Sequence, residues 1–130
     1  MRIDFRFVPI IFSVLIIFLF AGCSDTKKYD MNVQMVRDGS LYMNPNVPVG
    51  KAFDQFFVNG KWKSFTSTNN EKIVEFTGDC TFADAPATFN IQFVIDGLEF
   101  STHYVAINNV PLNDFDGISA LEKILSEYRP

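Results

Sequence analysis

The stretch Phe89-Asn90-Ile91-Gln92-Phe93-Val94-Ile95-Asp96-Gly97-Leu98-Glu99-Phe100-Ser101-Thr102-His103-Tyr104 decides the fold. Two runs of alternating apolar and polar residues flank Asp96-Gly97, and an Asp-Gly pair supplies the positive φ that a two-residue hairpin turn needs. A turn centred on that pair sets Ile95 opposite Leu98, Phe93 opposite Phe100, Ile91 opposite Thr102 and Phe89 opposite Tyr104. The other face pairs Gln92 with Ser101 and Asn90 with His103. One face is greasy and the other polar, and a slip of one residue would expose the greasy one. Such a sheet needs a covering layer.

Working upstream, Lys61–Phe65 and Lys72–Thr77 flank the turn cluster Ser67-Thr68-Asn69-Asn70, which predicts a second hairpin. Trp62 and Phe65 have opposite parity, so this strand bulges or turns one ring outward. The second strand runs on toward Phe82 until Ala83-Asp84-Ala85-Pro86 ends it. The cover comes from two amphipathic segments. Val49, Ala52, Phe53, Phe56 and Phe57 form one helical stripe, with Pro48 suited to its first turn and Gly60 to the position past its end. From about Asp114 to Tyr128, residues Ile118, Leu121, Ile124, Leu125 and Tyr128 form another, opened by Asn113 and Asp116 in a capping arrangement.

Between these lie weaker signals. Asn32–Arg37 alternates faintly, with Val33 and Met35 against Gln34, and reads as a short strand or extended arm before Asp38-Gly39. Tyr42–Pro48 is irregular because its prolines and asparagines break both ladders, and Asn108-Asn109-Val110-Pro111 is a loop. The expected class is α+β: a two-layer domain with an antiparallel sheet of four, or five, strands and two amphipathic helices, in the order (β)αββββα, over residues 32–130.

The N-terminal end has a different character. Met1–Arg6 is weakly cationic, and Phe7–Phe20 is an uninterrupted run of 14 uncharged residues. A membrane span wants about 20 apolar residues, whereas the apolar part of a signal peptide runs to about 7–15. Leu19-Phe20-Ala21-Gly22-Cys23 follows, and it resembles the lipobox of bacterial lipoproteins. Ala21, Gly22 and Cys23 match that pattern, while Phe20 stands where Leu is usual. The resemblance implies a signal peptide of residues 1–22, cleavage between Gly22 and Cys23, and diacylglycerol on the Cys23 sulfur. Residues 23–31 then form a short tether, which keeps the domain close to the bilayer. Ser24, where an Asp would favour retention in the inner membrane, implies the periplasmic face of the outer membrane as the favoured location.

Lipidation would consume Cys23 and leave Cys80 with no partner for an intramolecular disulfide. Val74, Phe76, Gly78, Cys80 and Phe82 share one face of an extended strand, so Cys80 is expected to be a buried, inert thiol.

Composition excludes some functions. Arg2, Arg6 and Asp4 would leave with the signal, taking 11 basic and 15 acidic residues to 9 and 14, a net charge of −5. That charge repels phosphates, so no nucleic-acid partner is expected. High aromatic content, with 15 Phe, excludes general disorder. His103 is the only histidine, which removes His-pair metal sites, and neither a metal nor a cofactor is expected. Ser101 lies on the same strand face as His103 and is the one nucleophile near it in sequence. Asp114 and Asp116 read as helix-capping acids, and Asp114-Phe115-Asp116-Gly117 lacks the remaining ligands of a calcium loop. Lys61 and Lys63 flank Trp62, the one basic–aromatic cluster that could engage a partner.

A second resemblance covers about a quarter of the chain. Val47-Pro48-Val49-Gly50-Lys51-Ala52-Phe53, then Trp62 and Phe65, then Val74-Glu75-Phe76-Thr77-Gly78, is similar to small bacterial secreted and lipoprotein domains. In those, a short helix precedes a Trp-bearing strand and a hairpin, and no firm activity attaches to them. The functional expectation is a membrane-anchored binding module that engages an envelope protein, not an enzyme. The alternatives are a small envelope hydrolase using Ser101 and His103, or a purely structural envelope component.

Overall fold

The computed structural model describes residues 28–130. Cys23, Gly22 and the rest of the lipobox lie outside them. The first element, α1 (Met31–Asp38), differs from the extended arm expected of Asn32–Arg37. Asp30 caps it by accepting a 2.8 Å hydrogen bond from the Val33 N–H. Its two buried side chains are Val33 and Val36, three apart, so the apolar spacing that counts is helical.

Next comes α2 (Val49–Phe56), with Val49, Ala52 and Phe53 buried along the expected stripe and Phe57 buried just past its end. Pro48 is its N-cap and not a first-turn residue. Gly60 does not end the helix: the chain turns extended at Phe57 and enters β1 (Val58–Thr66) directly. Gly60 lies in the irregular stretch where β1 shifts register between Val58 and Lys61.

Strands β2 (Lys72–Phe82), β3 (Ala85–Asp96), β4 (Glu99–Ile107) and β5 (Val110–Pro111) follow, then α3 (Asp114–Ser126). The five strands pair in chain order, every neighbour antiparallel. The class is therefore α+β, with an antiparallel sheet carrying helices on one face. The fifth strand comes from the segment expected to be a loop: Asn108 and Asn109, at φ 52° and 67°, turn the chain back so that Val110 and Pro111 pair with β4. Ala83 and Asp84, at φ 52° and 64°, make the equivalent turn between β2 and β3. Positive φ at both central residues matches the right-handed twist of flanking strands.

The β3–β4 hairpin forms with a different register from that expected. Asp96 pairs with Glu99 and Ile95 with Phe100, so the two-residue turn is Gly97-Leu98. Gly97 has φ 65° and is the first central residue, the place a type II′ turn reserves for glycine. The offset is two residues, so parity survives and Phe100 and Thr102 still share the face of Phe93 and Ile95. Leu98 is left at the tip, 93% exposed. A bulge then follows: Phe93 pairs with Thr102 and Gln92 with Tyr104, leaving His103 as an extra residue. Beyond it Val105, not Tyr104, turns toward the helices, opposite Ile91.

The core lies between sheet and helices. Phe53 is fully buried at its centre, with ring centroids 4.8 Å from Phe76, 5.5 Å from Phe57, 5.7 Å from Trp62 and 6.3 Å from Phe93. Leu121, Ile124 and Leu125 of α3 close the same cluster. Arg37 of α1 grips Asp54 of α2 through two hydrogen bonds of 3.1 and 2.7 Å. Its guanidinium lies 4.5 Å from the Tyr29 ring and 5.5 Å from the Trp62 ring.

Candidate functional site

Lys61, Trp62 and Lys63 do not form one patch, because consecutive strand residues point to opposite faces. Trp62 turns inward, half-buried, onto Phe53 and Phe76. Lys61 and Lys63 stand exposed on the other face, where Lys63 meets Glu75 at 3.3 Å and lies 5.8 Å from the Phe65 ring. Phe65 is the ring that its parity against Trp62 sends outward, at 39% exposure.

That outer face bears a polar row running across four strands: Lys63, Glu75, Gln92 and Tyr104 are successive cross-strand partners. Gln92 donates to Glu75 at 2.8 Å. Burial pushes the Glu75 carboxyl up, but hydrogen bonds from Gln92, Asn90 and Lys63 outweigh it and hold the group below the usual range. Asn90 Oδ1 is buried without a hydrogen-bond partner among the described residues. An adjacent row, Phe65–Ile73–Val94, is apolar and packs on itself, leaving Ile73 only 2% exposed.

A sizeable groove lies at the other side of the sheet, along the edge of β4. It has a volume of about 410 Å³ and runs between the Leu41–Met43 segment and the N-terminal half of α3. Its apolar lining includes Leu41, Met43, Phe100, Val105, Leu112 and Ile118. Tyr42 lines it while 80% exposed, and Phe115, next to the lining Asp114, is 78% exposed. An apolar concavity with a large aromatic side chain left in water at its lining is a candidate binding surface.

Ser101 and His103 also line this groove, so the structure brings both residues of the expected hydrolytic pair to one cavity. Both are exposed, and among the described residues no hydrogen bond joins them. The bulge explains this, since His103 is the extra residue of β4 and falls out of the ladder that holds Ser101 opposite Val94. At the groove's other end the α3 acids are helix-start groups. Asn113 accepts from the Asp116 N–H at 2.8 Å, and its amide donates to the Asp116 carboxylate at 3.1 Å. Among the described residues there is no cluster of three or more His, Cys, Asp or Glu that could hold a metal.

Cys80 lies on the inner face, as its parity requires, but is half-buried and not buried as expected, because it lines a smaller hollow of about 240 Å³ with Ala52, Phe56, Ile124 and Tyr128. Burial, aided by the charge of Asp79, pushes its thiol up, which favours the protonated form, the poorer nucleophile. No helix among the described residues is long and apolar enough to cross a membrane. No family model, curated protein or solved structure matches the chain.

Proposed function

We propose that this chain is a bacterial lipoprotein, cleaved after Gly22 and acylated on Cys23, which works at the periplasmic face of the outer membrane as a binding module for an envelope protein. Support for the anchor comes from the 14-residue uncharged run and the Ala21-Gly22-Cys23 junction. Two or more acyl chains hold a domain on a bilayer durably, since each buried CH₂ contributes about 0.8 kcal/mol. The binding role rests on one observation above others: the apolar groove beside β4, lined by the exposed Tyr42, with the exposed Phe115 following the lining Asp114 in α3. The test has two independent parts. Mass spectrometry of the protein extracted from bacterial envelopes should find Cys23 as the first residue with added acyl mass. Photo-crosslinking from Tyr42 and Phe115 in intact envelopes should give one specific adduct that a distant exposed site such as Glu71 does not give. An intact initiator methionine without acyl mass removes the anchor, and an absence of adducts removes the module.

A second reading, a small hydrolase, draws on the same groove because Ser101 and His103 both line it. It requires that a serine-directed fluorophosphonate label the protein at Ser101 and that His103→Ala abolish labelling. The binding-module reading expects no label.

A further inference from the structure

We propose that the free edge of β4 takes up an extended segment of a partner protein as a sixth strand, with alternate apolar side chains in the adjoining groove and a basic residue against Asp114. This rests on the binding-module reading and names the chemistry of the partner.

Strand β4 pairs with β3 from Glu99 to Ile107, but with β5 only at Ala106 and Ile107, extended by one bond from the Leu112 N–H to the Val105 carbonyl. From Glu99 to Tyr104 no described strand lies on its other side. In an antiparallel ladder every second residue of that stretch turns its N–H and C=O away from β3. Those groups need water or another strand. Natural edges are commonly blunted by charge, proline, bulges or a covering element. Here the bulge comes only at His103, and Phe100-Ser101-Thr102 ahead of it carries no charge and no proline.

Beside this edge lies the groove, on the inner side of the sheet where Phe100 and Val105 point. A strand laid along β4 shares its pleat, so every second side chain would enter the space between Met43 and Ile118. Main-chain bonds give such a complex its affinity, and the pockets for alternate side chains give it selectivity.

The groove's end on α3 sets the charge. A helix start ordinarily attracts anions, but the Asn113 side chain already occupies the Asp116 N–H, and Asp114 and Asp116 add two carboxylates to the first turn. Asp114 lines the groove and has no hydrogen-bond partner among the described residues. That end therefore selects a lysine or arginine. A second copy of this chain fits less well: its own Glu99–Tyr104 carries no lysine or arginine to offer to Asp114.

The test uses the full-length acylated protein in detergent micelles and a set of capped peptides that alternate Thr with Val, Leu or Phe, each carrying Lys or Glu at one end. Binding is read by fluorescence anisotropy, and amide hydrogen exchange locates it. The expected result is saturable binding that protects amides within Glu99–Tyr104, with Lys peptides binding about fivefold more tightly than their Glu counterparts. Asp114→Lys, on an exposed helix-start residue, should reverse that preference while leaving the melting curve close to that of the parent. The proposal is overturned if no peptide of the set binds. It is equally overturned if protection falls elsewhere, if the charge at the end has no effect, if detergent chains fill the groove without protecting β4, or if the edge becomes protected with rising protein concentration alone. Failure here leaves the crosslinking result from Tyr42 and Phe115 standing, so the two readings fail separately.

Discussion

Gly50 is the position at which a single added methyl group tests how the two short helices are joined. A Cβ there would lie 2.7 Å from Arg37 Cβ, 2.9 Å from Arg37 Cζ and 3.1 Å from Arg37 Cα. Carbon atoms in contact prefer about 3.5–4.0 Å, so α1 and α2 must separate locally by roughly 1 Å. Two effects compete in Gly50→Ala. Alanine is favoured over glycine in a helix by at most about 1 kcal/mol. Against it stands overpacking, which costs about 1–3 kcal/mol, and here two of the three opposing atoms are the Cα and Cβ of Arg37, which no rotamer change can move. The displacement would also loosen the paired hydrogen bonds from Arg37 to Asp54 and the seat of its guanidinium near Trp62. The clash should win by about 1–2 kcal/mol, a fall in Tm of roughly 5–15 °C for a domain of this size. Thermal melts followed by circular dichroism and by the fluorescence of Trp62, the only tryptophan, measure both the loss and the disturbance beside the ring. Because the Cα and Cβ of Arg37 remain in alanine, Gly50→Ala should still destabilise the Arg37→Ala protein. A Tm that holds or rises in the single variant would show that the helices are not in the contact described.

Three further outcomes follow from other residues. Ala83 holds φ 52° without the side-chain amide that makes this conformation tolerable to asparagine, so Ala83→Asn should stabilise by about 0.5–1 kcal/mol, read as a higher urea midpoint. Asp30→Ala removes the α1 cap and should cost about 1 kcal/mol at neutral pH. The Val33 N–H, with help from Ser64, holds the Asp30 carboxyl below its ordinary value. The charged group's stabilisation is thus present above about pH 4 and fades as pH falls through the lower folded value, so urea midpoints of parent and variant should converge in acid. Cys80 should react with iodoacetamide at neutral pH at least about tenfold more slowly than a free thiol, and denaturant should remove the difference.

Much of the architecture was legible because the elements that matter repeat their signal. The α2 stripe from Val49 to Phe57 carries five apolar residues at helical spacing, and β3 alternates without interruption from Ala87 to Phe93, so packing agreed with pattern. The α1 segment was misread for the opposite reason. In eight residues it buries only Val33 and Val36, and the intervening Met35 imitates strand alternation. What decides for the helix is Asp30, whose carboxylate satisfies the Val33 N–H, a capping signal just ahead of the segment. The basic–aromatic cluster around Trp62 was a coincidence of neighbours, since adjacency in a strand guarantees separation in space.

The groove could not be read directly, because it is assembled from Leu41–Met43, β4 and the start of α3, none of which carries an unusual residue. One part of it was nevertheless written in the chain. The β3 side chains that face the core sit at odd positions, Phe89, Ile91, Phe93 and Ile95, whereas those of β4 change from even at Phe100 to odd at Val105 and Ile107. A strand whose apolar positions switch parity against a partner that does not must hold one extra residue between them. It must fall between Phe100 and Val105, and the bulge falls at His103. That extra residue returns Val105 to the core after Phe100 and Thr102 have lined the open edge, and it takes His103 out of step with Ser101. The switch therefore makes β4 two segments: Ala106 and Ile107 paired by β5, and Glu99–Thr102 left with bare main chain beside an apolar hollow. Deleting His103 should remove the extra residue and leave Thr102, Tyr104 and Val105 opposite Phe93, Gln92 and Ile91 in an uninterrupted ladder, so the variant should fold with Val105 still in the core, and a urea midpoint well below that of the parent would show that the bulge is not where the extra residue is held.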